Sequence, residues 1–457
     1  MDRLRIGNLV PFDLQTIQQN ETLGLHGYNG WSPHNPRRYN GWLPRSPAIH
    51  ERFITVILEK ARNLLDNNAQ HVPSVETFKK AIESEPYLLE LFDKTFIQAA
   101  QGNQITSFKL LLYVFDVIVV APPAVMNVPG EPSEPIGVPI YVFMDLLINT
   151  AAGYTLFTSD GFNKAIRPFL DSWGQYLRSP ESNSTLTDHP DGWFGEEGIG
   201  LLQADERGTF NQTYVTPDPN AINRGYESWD AFFTRDYQHR ARPVDLTPLP
   251  GKVIYNACES TVERYESSVR LHDTFWLKGM AYSLYDMLGG DEETAKKFVG
   301  GTVYQAFLSP EDYHQWRAPV AGKIIQAYVI PGTYYAALPD DGDHGDMHGA
   351  LVRSQPWLTV AATRAIITIQ GPDPIGLVCF IGVGMVEVST CDIRVKPGDH
   401  VEPGDQLGMF HFGGSSHAVI FGKHINVAFR NQVKPGVHIH VNKIIADVTP
   451  ALHPSDH

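Results

Sequence analysis

Apolar residues recur at helical spacing through the first third of the chain. Phe53, Ile57, Ala61 and Leu64 fall four, four and three residues apart, and Leu88, Phe92 and Phe96 fall four apart, so each set lines one face of a predicted helix. The runs 143–156 and 162–177 continue the pattern beyond a Pro- and Gly-rich loop at 122–139, which predicts a helical bundle. The most apolar run, 110–120, is interrupted by Asp116 and followed by Pro122 and Pro123. It is shorter than the about 20 residues of a membrane span and reads as core. Between 179 and 224, Ser, Asn, Asp, Gly and Pro collect with little periodicity. Residues 1–178 therefore read as a helical N-terminal domain, 179–224 as an irregular connection and 225–457 as a second domain.

The second domain has another rhythm. Short apolar runs at 252–255, 303–308, 323–330, 365–369, 376–383 and 386–388 are rich in Val, Ile, Tyr and Phe and separated by turn residues, which predicts strands, with 280–288 a short helix. The fold class that follows is α+β, a helical domain and then a β-rich one. The segment 395–408 sets Gly398 and Gly404 at two turns, and Ala318-Pro-Val-Ala-Gly-Lys-Ile324 precedes a matching strand that ends at Pro331-Gly332. Paired segments of this kind build a biotinyl/lipoyl-like sandwich of short strands. The carrier role does not follow, because the hairpin tip lacks the lysine to which a lipoyl or biotinyl group is attached.

Composition narrows the partners. A hydrophobic fraction of 42% with 19% charged residues fits a globular chain, and 457 residues are enough for more than one domain. The formal charge of −15 repels nucleic acid and anionic bilayers and favours a neutral or cationic small molecule. Cys258, Cys379 and Cys391 show no CxxC spacing, which argues against a disulfide framework or structural zinc and for a reducing compartment. Residues 1–20 lack the apolar core of a signal peptide, so a cytoplasmic protein is expected.

The candidate chemistry sits at 408–417, Gly-Met-Phe-His-Phe-Gly-Gly-Ser-Ser-His. The ordinary reading of Gly-Gly-Ser-Ser is a turn between strands. A Gly-Ser bond in a tight turn also meets the minimum need of backbone self-cleavage, since Gly414 has no side chain to block the Ser415 hydroxyl and permits unusual φ/ψ. Attack of Ser415 Oγ on the Gly414 carbonyl gives an ester. Elimination and hydrolysis of the resulting dehydroalanine then leave a pyruvoyl group, a ketone that condenses with amines.

Five ordered motifs surround that segment: Trp229-Asp-Ala-Phe-Phe-Thr-Arg235 with Arg242-Pro243, Ala257-Cys-Glu259, Leu277-Lys-Gly-Met-Ala-Tyr-Ser-Leu284, Leu308-Ser-Pro-Glu-Asp-Tyr-His314, and 408–416. Together they resemble the phosphatidylserine decarboxylase-like pyruvoyl enzymes, and more closely their fungal soluble branch of L-tryptophan decarboxylase type. Gly41-Trp-Leu43, Asn149-Thr-Ala-Ala-Gly153 and Trp173-Gly174 look like the extra N-terminal domain of that branch, so the resemblance covers nearly the whole chain. It implies self-cleavage between Gly414 and Ser415, a pyruvoyl group made from Ser415, association of the two resulting chains, and no need for pyridoxal phosphate or a metal. It implies a soluble, aromatic L-amino acid as substrate, tryptophan-like, with phosphatidylserine as the alternative; a homo-oligomer is compatible with the sequence. His314 matches the histidine that acts in decarboxylation.

Two positions depart from the family pattern. The acid of the self-cleavage relay, commonly aspartate, aligns with Glu259, as in the soluble branch. The relay histidine is replaced by Arg317, whose guanidinium stays protonated near neutral pH and cannot take the serine proton. His417 and His411 are then the nearest substitute bases, or the chain stays uncleaved as a non-enzymatic member of the family. Glu259 has a structural alternative as the ion-pair partner of Arg317. Lys278 reads as a solvated charge, the acidic stretch 340–348 as a flexible solvated loop rather than a metal site, and Gly382-Val-Gly384 lacks the third glycine of a dinucleotide fingerprint.

Overall fold

The computed structural model describes residues 42–451 apart from positions 205, 274, 277, 278, 281, 344, 388 and 389. The N-terminal stretch 1–20, Gly41 and Lys278 lie outside the described residues. The first layer is built from α1 (Pro47–Asp66), α2 (Pro73–Glu83), α3 (Pro86–Gln98), α4 (Phe108–Ile118), α5 (Pro139–Ile148), α6 (Ala151–Thr158) and α7 (Asp160–Leu177). Hydroxyls start several of them: Ser46, Ser107, Thr150 and Ser159 accept from the N–H of Ile49, Leu110, Gly153 and Phe162, satisfying first-turn donors that have no intrahelical partner. The Thr150 cap explains why the apolar run 143–156 forms two helices instead of one. Phe53, Ala61, Leu88 and Phe92 are buried as their spacing requires.

The β-rich part is organised by one eight-stranded sheet. Its strands are β1 (Ser260–Ser267), β2 (Thr302–Leu308), β3 (Gly322–Ile330), β4 (Arg364–Gln370), β5 (Leu377–Met385), β6 (His400–Val401), β7 (Gly414–Phe421) and β8 (His438–Ile439). They lie in the order β6-β3-β4-β5-β7-β2-β1-β8, every neighbouring pair antiparallel. The sequence-paired segments do meet: His400 and Val401 pair with Lys323 and Gly322, and Ala318 exchanges backbone hydrogen bonds with Gly404 and Asp405. Each face of the sheet covers a different core. Ile366, Ile381, Ala418 and Ile420 join the helical layer in one, whereas Tyr304, Ile367, Phe380, Val419 and Phe421 pack in the other. Two three-stranded sheets close that second core, one of them made of Gln315–Arg317, Cys391–Ile393 and Gln406–Phe410.

Several local expectations change. The helix expected at 280–288 is confined to Leu284–Met287 and stops at Gly289 and Gly290, both at positive φ, while Gly279–Met280 pairs as a strand with Phe275–Trp276. At 386–388 the structure turns: Val386 and Glu387 leave the sheet, and Val388 is outside the described residues. The connection 179–224 carries short helices at Glu196–Leu202 and Phe210–Thr213 and buries Trp193, Phe194, Phe210 and Tyr214. The acidic stretch is tied down rather than solvated. Asp340 pairs with Arg353 at 2.6 Å and accepts from Asn149, and His348 meets the buried Asp145 at 2.7 Å. No helix among the described residues is long and apolar enough to cross a membrane.

Candidate active site

Ser415 enters β7 at the middle of the sheet. Gly413 precedes the strand at φ 148, a conformation that a side chain would strain. From there Gly414 pairs with Met385, and Ser415 lies between Gly384 of β5 and Leu308 of β2. Strand alternation separates the two serines. Ser416 faces the helical layer, where its Oγ accepts from Gln305 Nε2 at 3.1 Å; Gln305 in turn accepts from Tyr282 at 2.7 Å. Ser415 faces the second core with His417, Val419 and Phe421. It is fully buried, and its Oγ has no hydrogen-bond partner. Burying a hydroxyl unpaired costs free energy, so this atom adds nothing to stability through hydrogen bonding.

Leu308, opposite Ser415, leads directly into the turn that ends at His314. The His314 carbonyl accepts from the N–H of Phe410, five residues before Ser415, so the chain brackets both residues from two sides. The imidazole stacks on Phe233 of α8 (Trp229–Phe233) with ring centroids 4.0 Å apart. Its Nδ1 lies 2.9 Å from the Asp312 carbonyl, which can only accept; Nδ1 therefore carries the hydrogen and Nε2 the lone pair. Nε2 is buried without a partner. Burial pushes the pKa to about 3, with Asp312 opposing and Arg235 reinforcing, so the ring is neutral at physiological pH.

The turn before His314 is held by groups that the sequence reading did not single out. The buried Asp312 carboxylate meets Arg207 at 2.7 Å and His438 Nε2 at 2.9 Å, and accepts from Ser309 N at 2.7 Å. Burial alone would raise its pKa, but Arg207 and His438 hold it below the ordinary carboxylate range. Arg235 donates to the Glu311 carbonyl at 2.8 Å and stacks on Tyr214. Arg235 closes the Trp229–Arg235 motif, whose sequence alone gives it no role. His438 opens β8 and His440 follows the strand, their ring centroids 6.0 Å apart, yet nothing local pairs His438 with Asp312.

Glu259 and Arg317 do not form the ion pair offered as the structural alternative. The buried Glu259 carboxylate takes Arg242 at 2.7 Å, Tyr237 Oη at 2.8 Å and the N–H of Val441 at 3.0 Å. Burial would raise its pKa, and Arg242 outweighs it to hold the group below its ordinary value. Arg317 instead meets Asp236 at 2.8 Å, Gln315 at 3.1 Å and the hydroxyl of Tyr313.

The two substitute bases differ. His411 has both nitrogens occupied, Nδ1 by Asp230 at 3.0 Å and Nε2 by Asp392 at 3.3 Å, which leaves neither for Ser415. His417 shares the Ser415 face of β7, is fully buried, and has no partner at either nitrogen. Burial lowers its pKa to about 3, so it too is neutral, and its ring lies 6.0 Å from Phe380 and 5.9 Å from Tyr304.

A family model described as phosphatidylserine decarboxylase matches residues 229–447, and a second phosphatidylserine decarboxylase model matches 72–202. "Decarboxylase iboD" of Amanita muscaria is 50% identical over 351 residues, covering 74% of this chain and 100% of the relative. "L-tryptophan decarboxylase" of Psilocybe cubensis is 32% identical over 419 residues, covering 87% and 92%. A "phosphatidylserine decarboxylase proenzyme" of Stutzerimonas stutzeri is 28% identical over 215 residues, 43% of this chain and 67% of the relative.

Proposed function

Because the chain belongs to the phosphatidylserine decarboxylase family, as a decarboxylase beside the fungal L-tryptophan decarboxylases, we propose that it decarboxylates an L-amino acid through a pyruvoyl group made from its own Ser415. The observation that carries this reading is the buried, unpaired Ser415 hydroxyl directly after Gly414. The residues around it fit such a group: Gly413 lets the backbone bend sharply, Ser416 is engaged elsewhere, the neutral His417 shares the Ser415 face of the strand with both nitrogens unpartnered, and the neutral His314, with its Nε2 unpartnered, ends the turn that follows Leu308. A pyruvoyl group supplies the electron sink for loss of carbon dioxide.

His417 takes the Ser415 proton when the hydroxyl attacks the Gly414 carbonyl, in place of the histidine that Arg317 has displaced. Same-face residues along a strand are about 7 Å apart, close enough for an imidazole to reach the neighbouring position. His314 presents the Nε2 lone pair, takes up a solvent proton there and delivers it to the substrate carbon after carbon dioxide has left, which supplies the one proton that decarboxylation consumes. Phe233 and the Asp312 carbonyl keep its ring oriented. Arg317 stays a cation: burial opposes it, but Tyr313 and Asp236 raise its pKa further.

An aromatic amino acid is the favoured substrate, supported by relatives named for tryptophan. Phosphatidylserine is the second reading, favoured by the family description and opposed by the charge of −15, which disfavours an anionic bilayer. Carbon dioxide release from a panel of aromatic, aliphatic and acidic amino acids and phosphatidylserine vesicles tests the assignment. Turnover of an amino acid that is lost in Ser415→Ala supports it, and turnover of the vesicles alone overturns the amino-acid reading.

A further inference from the structure

The turn that leaves β5 holds a buried acid with no part in the steps above. β5 ends at Met385, opposite Gly414. Val386 then adopts φ 51, a left-handed conformation that is costly for a β-branched residue, and its N–H is fixed on the Tyr334 carbonyl at 2.9 Å. This turn carries Glu387 inward, where it is fully buried. One carboxyl oxygen accepts from the N–H of Tyr141 in the first turn of α5 at 2.9 Å, and the other lies 3.1 Å from Tyr335 Oη. The helix is anchored on its other side as well: Tyr141 Oη donates to Asp145 at 2.6 Å, and Asp145 accepts from the N–H of Gly349 at 3.0 Å.

We propose that Glu387 is a positioning residue through which α5 of the helical layer holds the end of β5 against Gly414, and so sets the rate of cleavage at Gly414-Ser415. This rests on the reading that the chain cleaves there. The groups facing Glu387 are the backbone N–H groups of Tyr141 and Ile140 and the phenol of Tyr335; Asp145 and His348 come in only beyond Tyr141. None of its direct partners is a cation. Burial pushes its pKa up to about 8, against the opposing donors. The neutral acid satisfies both contacts, since its carbonyl oxygen accepts from Tyr141 and its hydroxyl can donate to Tyr335 Oη. The ionised form is a buried charge without a counter-ion. Folded chain therefore keeps the arrangement below about pH 8 and loses it above. Stability relative to the unfolded chain declines from the ordinary carboxylate range up to that pH.

Glu387→Gln mimics the neutral acid: its carbonyl accepts from Tyr141 and its amide donates to Tyr335. The test follows disappearance of the full-length chain by intact mass between pH 6 and 9.5, in wild type and Glu387→Gln. The two should cleave alike at pH 6–7, and the wild type should fall behind by about tenfold per pH unit above 8. A constant ratio of the two rates across the range would overturn the proposal. A wild type that stays whole at every pH faults the cleavage reading instead, and melting temperatures then decide the contact. A gain of Glu387→Gln over wild type that grows from pH 5 to 8 supports the seam, and parallel curves overturn it.

Discussion

Glu259 and Arg317 are joined through a pair of tyrosines whose rings touch at a tilt of 34°. Tyr237 donates to Glu259 at 2.8 Å, Tyr313 meets Arg317, and the two rings lie 3.9 Å apart. Asp236 and Tyr313 hold Arg317, and the carboxylate that a histidine at 317 would need as an orienting partner is already taken by Arg242. Arg317→His is therefore expected to leave the rate of chain cleavage unchanged, read as loss of the full-length band on a denaturing gel. Faster cleavage would mean that Glu259 turns towards position 317.

Removing His314 separates maturation from turnover. The His314→Ala chain should still cleave, because the serine proton goes to His417, and should lose about 10²–10⁴ in kcat, the scale of a positioned acid or base. Undiminished kcat would reduce His314 to a core residue stacked on Phe233.

His417→Phe keeps a ring against Phe380 and Tyr304 while removing both nitrogens. Cleavage should slow by about 10²–10⁴, with the melting temperature little changed. If His417→Phe cleaves at the wild-type rate and His314→Ala does not cleave, the proton goes to His314.

Acid should destabilise the fold through the same two histidines. Their folded pKa values, both about 3, lie below the ordinary 6.5, so the unfolded chain binds more protons between those limits and stability falls as pH drops from 6.5 towards 3. Each contributes a slope of about 1.4 kcal/mol per pH unit in that window. Urea unfolding of His417→Phe should show the slope reduced by that amount, and an unchanged slope would indicate that His417 is not buried neutral.

The Arg207–Asp312–His438 cluster is expected to govern stability. Asp312→Asn leaves the Arg207 guanidinium buried without its carboxylate, which typically costs about 3–5 kcal/mol. Urea midpoints measure this, and a loss below about 1 kcal/mol would show that the cluster is solvated.

Legibility in the sequence followed the range of the interactions. Helix faces such as Phe53 to Leu64 and strand runs such as 365–369 could be read because their periodicity is local. The Gly414-Ser415 candidate was also local, picked out from Ser416 by the glycine before it; the strand adds that the two serines face opposite cores. Asp312 finds Arg207 across 105 positions and His438 across 126, so no spacing rule joins them. Glu259 illustrates a different limit: a motif gave its position and charge and Arg317 stood as its ion-pair alternative, but packing sets Arg242 against it instead. The helix expected at 280–288 was shortened because the Gly289-Gly290 pair stops it at one end and a two-residue strand claims the other.

Whether Ser415 becomes the reactive group is decided most directly by the intact mass of the purified full-length protein before and after hydroxylamine. Self-cleavage predicts two chains, 1–414 and 415–457, with the smaller one blocked at its N-terminus and shifted in mass by hydroxylamine, and a single intact chain for Ser415→Ala. A wild-type chain that decarboxylates an amino acid while remaining whole, with Ser415 unmodified, would contradict it.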